Sequence, residues 1–466
     1  MTILTVAFFR EIIGRIDTDG PKSNWESANT PLARFLENSH PGELPNTFKY
    51  LQPEGWLAGV LEGKNYIESG VRFLSNLTII EEGSYSLDKI GIDTLHARLR
   101  DSTADGTFTG NYHGPSAAHF SEGYEKHLSG LWNNSLMPKF SGAQVKLPVS
   151  LLPDENGGQV ILPAVHTPFS HILKVPREGF YASLPAVEWM GLELARRAGL
   201  ETADHALVEM PNGMAPALIV ERFDIPDVDD ELRHLTRISD FCNLTDLSPR
   251  FNKYETDVSV CFQALEAQSS DPEADRIALF KRIALSHYIL DADMHLKNIS
   301  VLKTIDRETG DVNVRLSPAY DAMTTMIYPE LSDRTSALYF DPDPEQGGRC
   351  AKPYDSRSDL IAIAKMNGIS WEQADAILDE ISQSVVDNAV DIARNPPAIL
   401  KNHPACLHAL KCAATEIVWR SDAENIPEWG DDEVAMPQEY QEQAKAVTSP
   451  TPIKAKTAFN GPAPGF

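Results

Sequence analysis

The sequence predicts an α+β protein in which a sheet-rich first half is followed by a mostly helical second half. Apolar residues alternate in short strand-like runs as far as about residue 236, and beyond it they recur at three- and four-residue spacing. The length of 466 residues suits two or three domains of roughly 150 residues each. Hydrophobic residues make up 42% and charged residues 23% of the chain, which predicts an ordinary folded core.

A first unit is predicted over residues 1–134. Ile3–Phe9 and Val71–Ile80 are short apolar runs that indicate strands of a small subdomain containing both helices and strands. From Glu81 to about Asn134 the sequence turns polar, which indicates a long loop or a loosely packed insertion. The chain start lacks the layout of a signal peptide, and no run approaches the roughly 18 apolar residues of a membrane span. We therefore expect a soluble, cytoplasmic protein without membrane contact.

Residues 135–236 are predicted to form a sheet with a single helix. The helix is expected over Ala186–Ala198, because Pro185 suits a first helical turn and Gly199 suits a helix C-terminus. Four runs indicate the strands, namely Gln144–Leu152, Gly158–Val165, His171–Val175 and Ala217–Phe223.

Residues 237–424 are predicted to form a helical unit. Helical spacing of apolar residues marks Glu273–Ile289, Trp371–Asn388 and Pro404–Arg420. Residues 425–466 are rich in proline, glutamine and alanine, and they cannot bury enough apolar surface to offset the entropy lost on ordering. We expect this tail to be disordered.

The charge balance restricts the possible partners. Lysine and arginine number 41 against 67 aspartates and glutamates, so the net charge of −26 disfavours stand-alone binding to DNA. The five cysteines are scattered without metal-ligand spacing, which suggests a reducing cytoplasm.

One cluster of polar residues lies between two apolar runs, in the segment HYILDADMHLKNISVL of residues 287–302. In phosphoryl transfer an Asp accepts the proton of the attacking hydroxyl, and an Asn about five residues later holds a metal ion on the phosphates. Asp293 and Asn298 have this spacing. Asp321 follows the predicted strand Val312–Leu316 and suits a second metal-holding group.

Upstream residues could supply the other parts of a phosphotransfer site. Lys174 ends an apolar strand, where a lysine can reach phosphates, and Glu188 or Glu193 on the predicted helix could pair with it. Residues 221–223 suit a linker whose backbone contacts adenine, and residues 141–146 could cover phosphates. Taken singly, each signal is more often a surface turn or a solvent-facing lysine. Their order along the chain is that of a kinase.

In this order the motifs resemble those of HipA-type serine/threonine kinases, the toxins of HipBA toxin–antitoxin modules. The matching segments are SGAQVK at 141–146, HILK at 171–174, VERFD at 220–224, ISDFC at 238–242, KYE at 253–255, DMHLKN at 293–298 and LSPAYD at 316–321. The resemblance implies that Asp293 is the catalytic base and that Asn298 and Asp321 hold Mg²⁺. It also implies an ATP site formed by Ser141, Gly142, Ala143, Gln144, Val145, Lys146, Lys174, Glu221, Arg222, Phe223, His295, Leu296, Lys297, Asn298, Tyr320 and Asp321.

The resemblance further implies a HipA-like, protein-kinase-like two-lobed fold with an added N-terminal subdomain. It implies a toxin that phosphorylates a translation-related protein, such as an aminoacyl-tRNA synthetase, and causes growth arrest and persistence. Its partner would be a small, HipB-like helix-turn-helix antitoxin, and it would reach operator DNA only through that antitoxin. One departure is Lys139, which stands where many members have an autophosphorylated serine, with Ser135, Ser141 and Ser150 as nearby alternatives.

Two other interpretations stay open. A catalytically silent kinase-fold module would bind an antitoxin or a DNA-bound partner without turnover, although every expected catalytic position holds a competent residue type. A small-molecule kinase could use the same scaffold, and the sequence offers nothing that separates it from a protein kinase.

Overall fold

A computed structural model describes much of the chain. The described residues are 3–9, 11–17, 24–30, 32, 45, 47–48, 71–72, 77–81, 97–114, 144, 146–155, 158–163, 169–176, 179–225, 233–247, 253–254, 256–328, 335–346, 348, 350–421 and 426–429. They contain α-helices, and their β-strands form four sheets. None of the helices in these ranges is long and apolar enough to cross a membrane.

The first sheet is antiparallel and lies near the N-terminus. Its strands are β1 (Ile3–Phe8), β2 (Glu11–Asp17), β3 (Asn24–Ser27), β4 (Val71–Arg72) and β5 (Leu77–Glu81), in the spatial order β3-β2-β1-β5-β4. Its buried face packs against Leu235 and Ile305 from the second half of the chain. The fully buried Arg237 donates to the hydroxyl of Thr47 at 3.0 Å across this contact. The predicted strand at Ile3–Phe9 is confirmed as β1. The prediction of a single strand over Val71–Ile80 is wrong, because β4 and β5 lie in this run and pair with each other antiparallel, Val71 opposite Ile79.

The second sheet carries much of the candidate site, and we call it the central sheet. Its order is β6-β7-β12-β13-β11-β9-β10-β8. All four strands predicted for this unit are confirmed within a few residues. The strands are β6 (Thr103–Ala104), β7 (Thr107–Phe108), β8 (Asn111–Tyr112), β9 (Lys146–Pro153), β10 (Gln159–Pro163), β11 (His171–Lys174), β12 (His205–Val208) and β13 (Ala217–Glu221).

The interpretation of the segment after Glu81 as a loop is wrong for residues 103–112. A 3₁₀ turn at Leu99–Ser102 leads into β6, β7 and β8, which join the central sheet. Leu99 and Phe108 are buried in the core of that sheet, and Gly106 turns the chain between β6 and β7 at φ 68°. These two buried apolar residues stabilise short strands that the polar composition of the segment does not predict.

One helix packs between the central sheet and the helices of the second half of the chain. It is α1 (Leu184–Arg197), which overlaps the predicted helix and begins with Pro185 in its first turn. Gly199 follows its end with a left-handed φ of 78°, as predicted for a C-terminal glycine. Most of the helix is buried because it contacts the central sheet on one side and helices from the second half of the chain on the other.

The second half of the chain is the helical lobe. The antiparallel strands β14 (His234–Asp240), β15 (Ser300–Asp306) and β16 (Val312–Leu316) form a small sheet, and β17 (Tyr339–Phe340) pairs with β18 (Lys352–Pro353). The three predicted helices are confirmed as α4, α6 and α7. The helices are α2 (Phe241–Thr245), α3 (Ser259–Gln268), α4 (Pro272–Tyr288), α5 (Arg357–Met366), α6 (Trp371–Arg394) and α7 (Pro404–Ser421).

Part of the segment expected to be disordered is packed against α7. The indole Nε1 of Trp429 donates to the hydroxyl of Thr415 at 2.9 Å, and its ring faces Lys411 and Arg394. Residues 430–466 lie outside the described residues, so the prediction for them stays a prediction. The predicted boundaries of the four units likewise stay predictions.

Candidate active site

The central sheet places two lysines side by side. Lys146 on β9 lies directly opposite Lys174 on the antiparallel strand β11, so both side chains leave the same face of the sheet. The Nζ atom of Lys146 lies 3.0 Å from Oδ2 of Asp321, and Nζ of Lys174 donates to Oδ1 of the same carboxylate. The strand register therefore directs two cations to one acid.

Helix α1 supplies a second acid to Lys174. The Nζ atom of Lys174 also donates to Oε1 of Glu188, and both side chains are buried. Glu193 turns to a different face of the helix, where it contacts Arg196 at 2.6 Å and His205 at 3.3 Å. Of the two glutamates that the sequence offered, the structure brings Glu188 to Lys174.

A glycine lets α1 approach the loop that carries Asp321. A Cβ atom built on Gly191 would lie 2.2 Å from the main-chain oxygen of Ala322 and 3.0 Å from Cα of Met323. Gly191 lies three residues after Glu188, on the same face of the helix. This contact therefore fixes how closely Glu188 approaches Lys174 and the loop of Asp321. Gly191 carried no prediction from the sequence, although a glycine inside an apolar helix often has a packing role.

The charges of this cluster depend on one another. Burial would raise the pKa of Asp321, but Lys146 and Lys174 outweigh burial and hold that pKa far below its ordinary value. Burial would lower the pKa of Lys174, but Asp321 and Glu188 raise it above its ordinary value. Burial raises the pKa of Glu188 in spite of Lys174. Asp321 is therefore the main counter-charge of Lys174.

The loop of residues 290–298 joins α4 to β15 and presents Asp293. The Nδ2 atom of Asn298 and the main-chain N–H of His295 both donate to the main-chain oxygen of Asp293 at 2.8 Å. The hydroxyl of Tyr254 donates to its Oδ1 at 2.8 Å. The side chain of Asp293 is 40% exposed, so it can meet a substrate hydroxyl. Its pKa is raised by partial burial, and the hydrogen bond from Tyr254 opposes this rise.

The hairpin of β15 and β16 brings the two polar loops together. The N–H of Ser317 donates to the oxygen of Ser300 at 2.9 Å, so the residues before β15 and those after β16 are neighbours. The hydroxyl of Tyr320 donates to the oxygen of Lys297 at 3.0 Å. Asp321 lies close enough to Asp293 to raise the pKa of that residue. The base candidate and the charged cluster therefore belong to one site.

The site has oxygen donors of the kind that Mg²⁺ prefers. The Nδ2 atom of Asn298 donates to Asp293, which leaves its amide oxygen as the atom that would bind a metal ion. Each oxygen of Asp321 accepts from one lysine and keeps a second lone pair that would suit the same ion. Within the described ranges no cluster of three or more histidines, cysteines, aspartates or glutamates could hold a metal ion. Two protein ligands completed by phosphate oxygens fit the usual mode of Mg²⁺ binding in kinases.

The predicted linker residues have divergent side chains. The carboxylate of Glu221 accepts from Nη1 of Arg98 at 2.8 Å and from the N–H of Leu99 at 2.7 Å. Arg222 forms an ion pair with Asp224 at 2.9 Å, whereas the ring of Phe223 lies 5.9 Å from the ring of Tyr320. The structure thus brings the side chain of Phe223 to the site and those of Glu221 and Arg222 to other partners.

The other predicted residues fall into two groups. Leu296 is fully buried in the core, Lys297 pairs with Asp240 at 3.2 Å, and His295 packs edge-on against Tyr254 with ring centroids 4.8 Å apart. Gln144 lies two residues before the start of β9. Ser141, Gly142, Ala143 and Val145 lie outside the described residues, as do Lys139 and Ser135.

Two further residues refine the predictions near the site. Ser150, one alternative for autophosphorylation, is buried within β9 opposite Leu162. Tyr254 was part of a matching motif without an assigned role, and the structure shows that it contacts Asp293.

Comparison with known proteins agrees with this architecture. A solved HipA of Shewanella oneidensis MR-1, in complex with HipB and its operator DNA, shares the fold with a TM-score of 0.59 at 16% identity, covering 93% of this chain and 100% of that chain. Two proteins of Sinorhizobium fredii, named "Putative kinase Y4mE" and "Putative kinase Y4dM", are each 30% identical over 236 and 218 residues. These alignments cover 50% and 44% of this chain and 49% of each relative, so the chain spans about half the length of the curated relatives it matches.

The predicted HipA-like, two-lobed fold is confirmed by this likeness. The family model described as the HipA-like C-terminal domain matches residues 139–389. This range contains both lysines of the central sheet, Glu188, and the loops that carry Asp293 and Asp321. Since the match covers more than half of the 466 residues, the chain belongs to the HipA-like C-terminal domain family.

Proposed function

We propose that this protein is an ATP- and Mg²⁺-dependent protein serine/threonine kinase. The observation that carries the proposal is the meeting of the Lys174–Glu188–Asp321 cluster with Asp293 and Asn298. Phosphoryl transfer asks little covalent chemistry of a protein, and its catalysis comes mainly from positioning and charge stabilisation. The site offers cations for phosphates and an exposed acid for a hydroxyl.

Each residue has a chemical task in this proposal. Asp293, held at Oδ1 by Tyr254, accepts the proton of a serine or threonine hydroxyl on a protein substrate. Lys146 and Lys174 bind phosphate oxygens, for which their ammonium groups are suited. Asn298 and Asp321 hold Mg²⁺, which neutralises charge on the phosphates when bound.

We also propose a toxin role in which a translation-related protein, such as an aminoacyl-tRNA synthetase, is phosphorylated and growth stops. Family membership and the kinase names of the relatives support this role. The proposed partner is a small helix-turn-helix antitoxin, because the S. oneidensis HipA was solved with HipB and operator DNA. A net charge of −26 leaves DNA contact to that partner, and the proposed site of action is the cytoplasm.

The test compares labelling by the wild type, Asp293→Asn and the control Asp306→Asn with Mg²⁺ and γ-labelled ATP, alone and in a cell lysate. Loss of a general base costs on the order of 10²–10⁴ in rate, so we expect labelling by Asp293→Asn to fall by about that factor while ATP still binds. Asp306 is an acid paired with Arg233 at the end of β15 away from Ser300 and the site, and its substitution should leave the rate unchanged. Mass spectrometry of the labelled proteins identifies the substrate and its modified residue.

The other outcomes discriminate between the alternatives. Wild-type protein that binds ATP but labels nothing would contradict the proposal and favour the silent partner-binding module. Label that enters a metabolite and no protein would favour the small-molecule kinase.

A further inference from the structure

Asp291 is a buried carboxyl group that the proposed phosphotransfer steps do not use. It lies two residues before Asp293 and is 2% exposed. Its Oδ1 accepts the N–H of Asp293 at 2.9 Å, and its Oδ2 accepts the N–H of Met323 at 3.5 Å. One side chain therefore joins the loop that carries the base to the loop that carries Asp321.

Each of these loops contains a backbone conformation that a non-glycine residue rarely adopts. Leu290 has a φ of 59° and Asp321 a φ of 53°. Such a conformation is strained and persists only where its surroundings fix it. The residues next to these two positions are therefore the place to look for the restraints.

Thr325 supplies the reciprocal contact from the second loop. Its hydroxyl oxygen accepts the N–H of Ala292 at 2.8 Å and donates to the main-chain oxygen of Leu290 at 3.1 Å. Its own N–H donates to the same oxygen at 3.1 Å. Ser286 on α4 donates to the main-chain oxygen of Asp291 at 2.9 Å. The two loops are thus held by a side chain from each, and Ser286 anchors the first loop to α4.

We propose that Asp291 and Thr325 are a positioning pair that sets the place of Asp293 relative to Asp321. The consequence for catalysis rests on the proposed kinase function, whereas the structural consequence does not. An error of about 1 Å in the placement of a catalytic group can lower a rate by about 10²-fold. The pair accordingly acts through Asp293 and Asp321 and touches no substrate.

The chemistry of Asp291 predicts which substitution it tolerates. Burial raises the pKa of this carboxyl, and the two hydrogen bonds from main-chain N–H groups oppose this rise. Asparagine keeps an oxygen that can accept the N–H of Asp293, but it places an NH2 group, a donor, where Oδ2 accepts the N–H of Met323. Asparagine should therefore preserve one of the two contacts, whereas alanine leaves both buried N–H groups without an acceptor.

The experiment measures kcat and the KM for ATP in Asp291→Ala, Asp291→Asn and the control Asp257→Ala. Asp257 also joins two segments, because it accepts the N–H groups of Ser259 at 2.8 Å and Asp341 at 3.1 Å. We expect kcat to fall about 10- to 100-fold in Asp291→Ala with a nearly unchanged KM, by a smaller factor in Asp291→Asn, and by less than about threefold in Asp257→Ala. Wild-type kcat in a folded Asp291→Ala protein would overturn the proposal.

A second measurement does not depend on turnover. Without nucleotide, amide hydrogen exchange at Asp293 and Met323 should be faster in Asp291→Ala, whereas in Asp291→Asn only the exchange at Met323 should be faster. If the wild type transfers no phosphate, the kinase function fails, and this exchange still decides the structural claim. Unchanged exchange in Asp291→Ala would refute it.

Thr325 provides variants of matched shape in case Asp291→Ala does not fold. Thr325→Val removes the hydroxyl that binds Ala292 and Leu290, and Thr325→Ser keeps it. We expect faster exchange at Ala292 in the valine variant alone. Equal protection in the two variants would contradict the proposal.

Discussion

The two halves of the candidate site are held by different forces. In the sheet half, Lys146, Lys174, Glu188 and Asp321 are fixed by ion pairs that are buried or partly buried. In the helical half, Asp293 is fixed by hydrogen bonds from Tyr254 and from neighbouring backbone and amide groups, and its carboxylate is partly exposed. The first half is a charge cluster and the second is a hydrogen-bonded loop.

This difference determines how each half should respond to substitution. A buried ion pair contributes little net stability when complete, but removal of one partner leaves an uncompensated charge in the interior. A single hydrogen bond contributes about 0.5–1.5 kcal/mol, so its loss is graded. Changes in the sheet half should therefore damage the fold, and changes in the helical half should mainly alter the chemistry.

The largest effect is expected for Lys174→Ala. It leaves the buried Glu188 and one oxygen of Asp321 without their cation, and the free energy of unfolding should fall by about 3–5 kcal/mol. Urea denaturation followed by circular dichroism measures this change. Glu188→Gln is the control and should be milder, because the amide oxygen can still accept from Lys174, and Asp321 remains the counter-charge of that lysine. A loss below about 1 kcal/mol in Lys174→Ala would contradict the importance of the cluster.

A smaller effect is expected for Gly191→Ala, where the test is whether the free energy of unfolding falls or rises. Replacement of glycine by alanine inside a helix ordinarily stabilises it by about 1 kcal/mol. At Gly191 the added Cβ would meet the main-chain oxygen of Ala322 at 2.2 Å, and neither backbone can yield cheaply. We expect a net destabilisation of about 1–3 kcal/mol, measured by thermal or urea unfolding, with a reduced rate of phosphate transfer. A stabilised variant would show that α1 is free to move from the loop.

The sequence was informative where a motif is local. Asp293 and Asn298 are five residues apart in one loop, and their relation follows from that loop alone. The periodicity of α4, α6 and α7 likewise reveals their buried faces over many turns. Local patterns of this kind need no knowledge of the tertiary structure.

The sequence was less informative where a contact depends on packing between distant segments. Glu188 and Glu193 are equivalent on a single helix, and only the packing of α1 against β11 separates them. Residues 103–112 read as polar because few of their side chains face the core, yet their backbone joins the central sheet. Tyr254 is 39 residues from Asp293, so no spacing in the sequence connects them.

The smallest effect concerns the pH dependence of the helical half. Asp293, the proposed base, must be ionised to accept a proton, so kcat/KM should fall as the pH drops through its pKa, which burial raises above the ordinary 3.8. The hydrogen bond from Tyr254 favours the ionised form, and its removal in Tyr254→Phe should raise that pKa. The acidic limb of the kcat/KM profile should therefore move to higher pH, while the rates at neutral pH differ by less than about tenfold. Tyr288→Phe removes a tyrosine hydroxyl that contacts Arg357 instead and should leave the limb in place. An acidic limb that moves to lower pH, or that moves equally in both variants, would show that Tyr254 does not act on Asp293. The pH dependence of the helical half would then come from burial and from the charges of Lys253, Lys146 and Asp321.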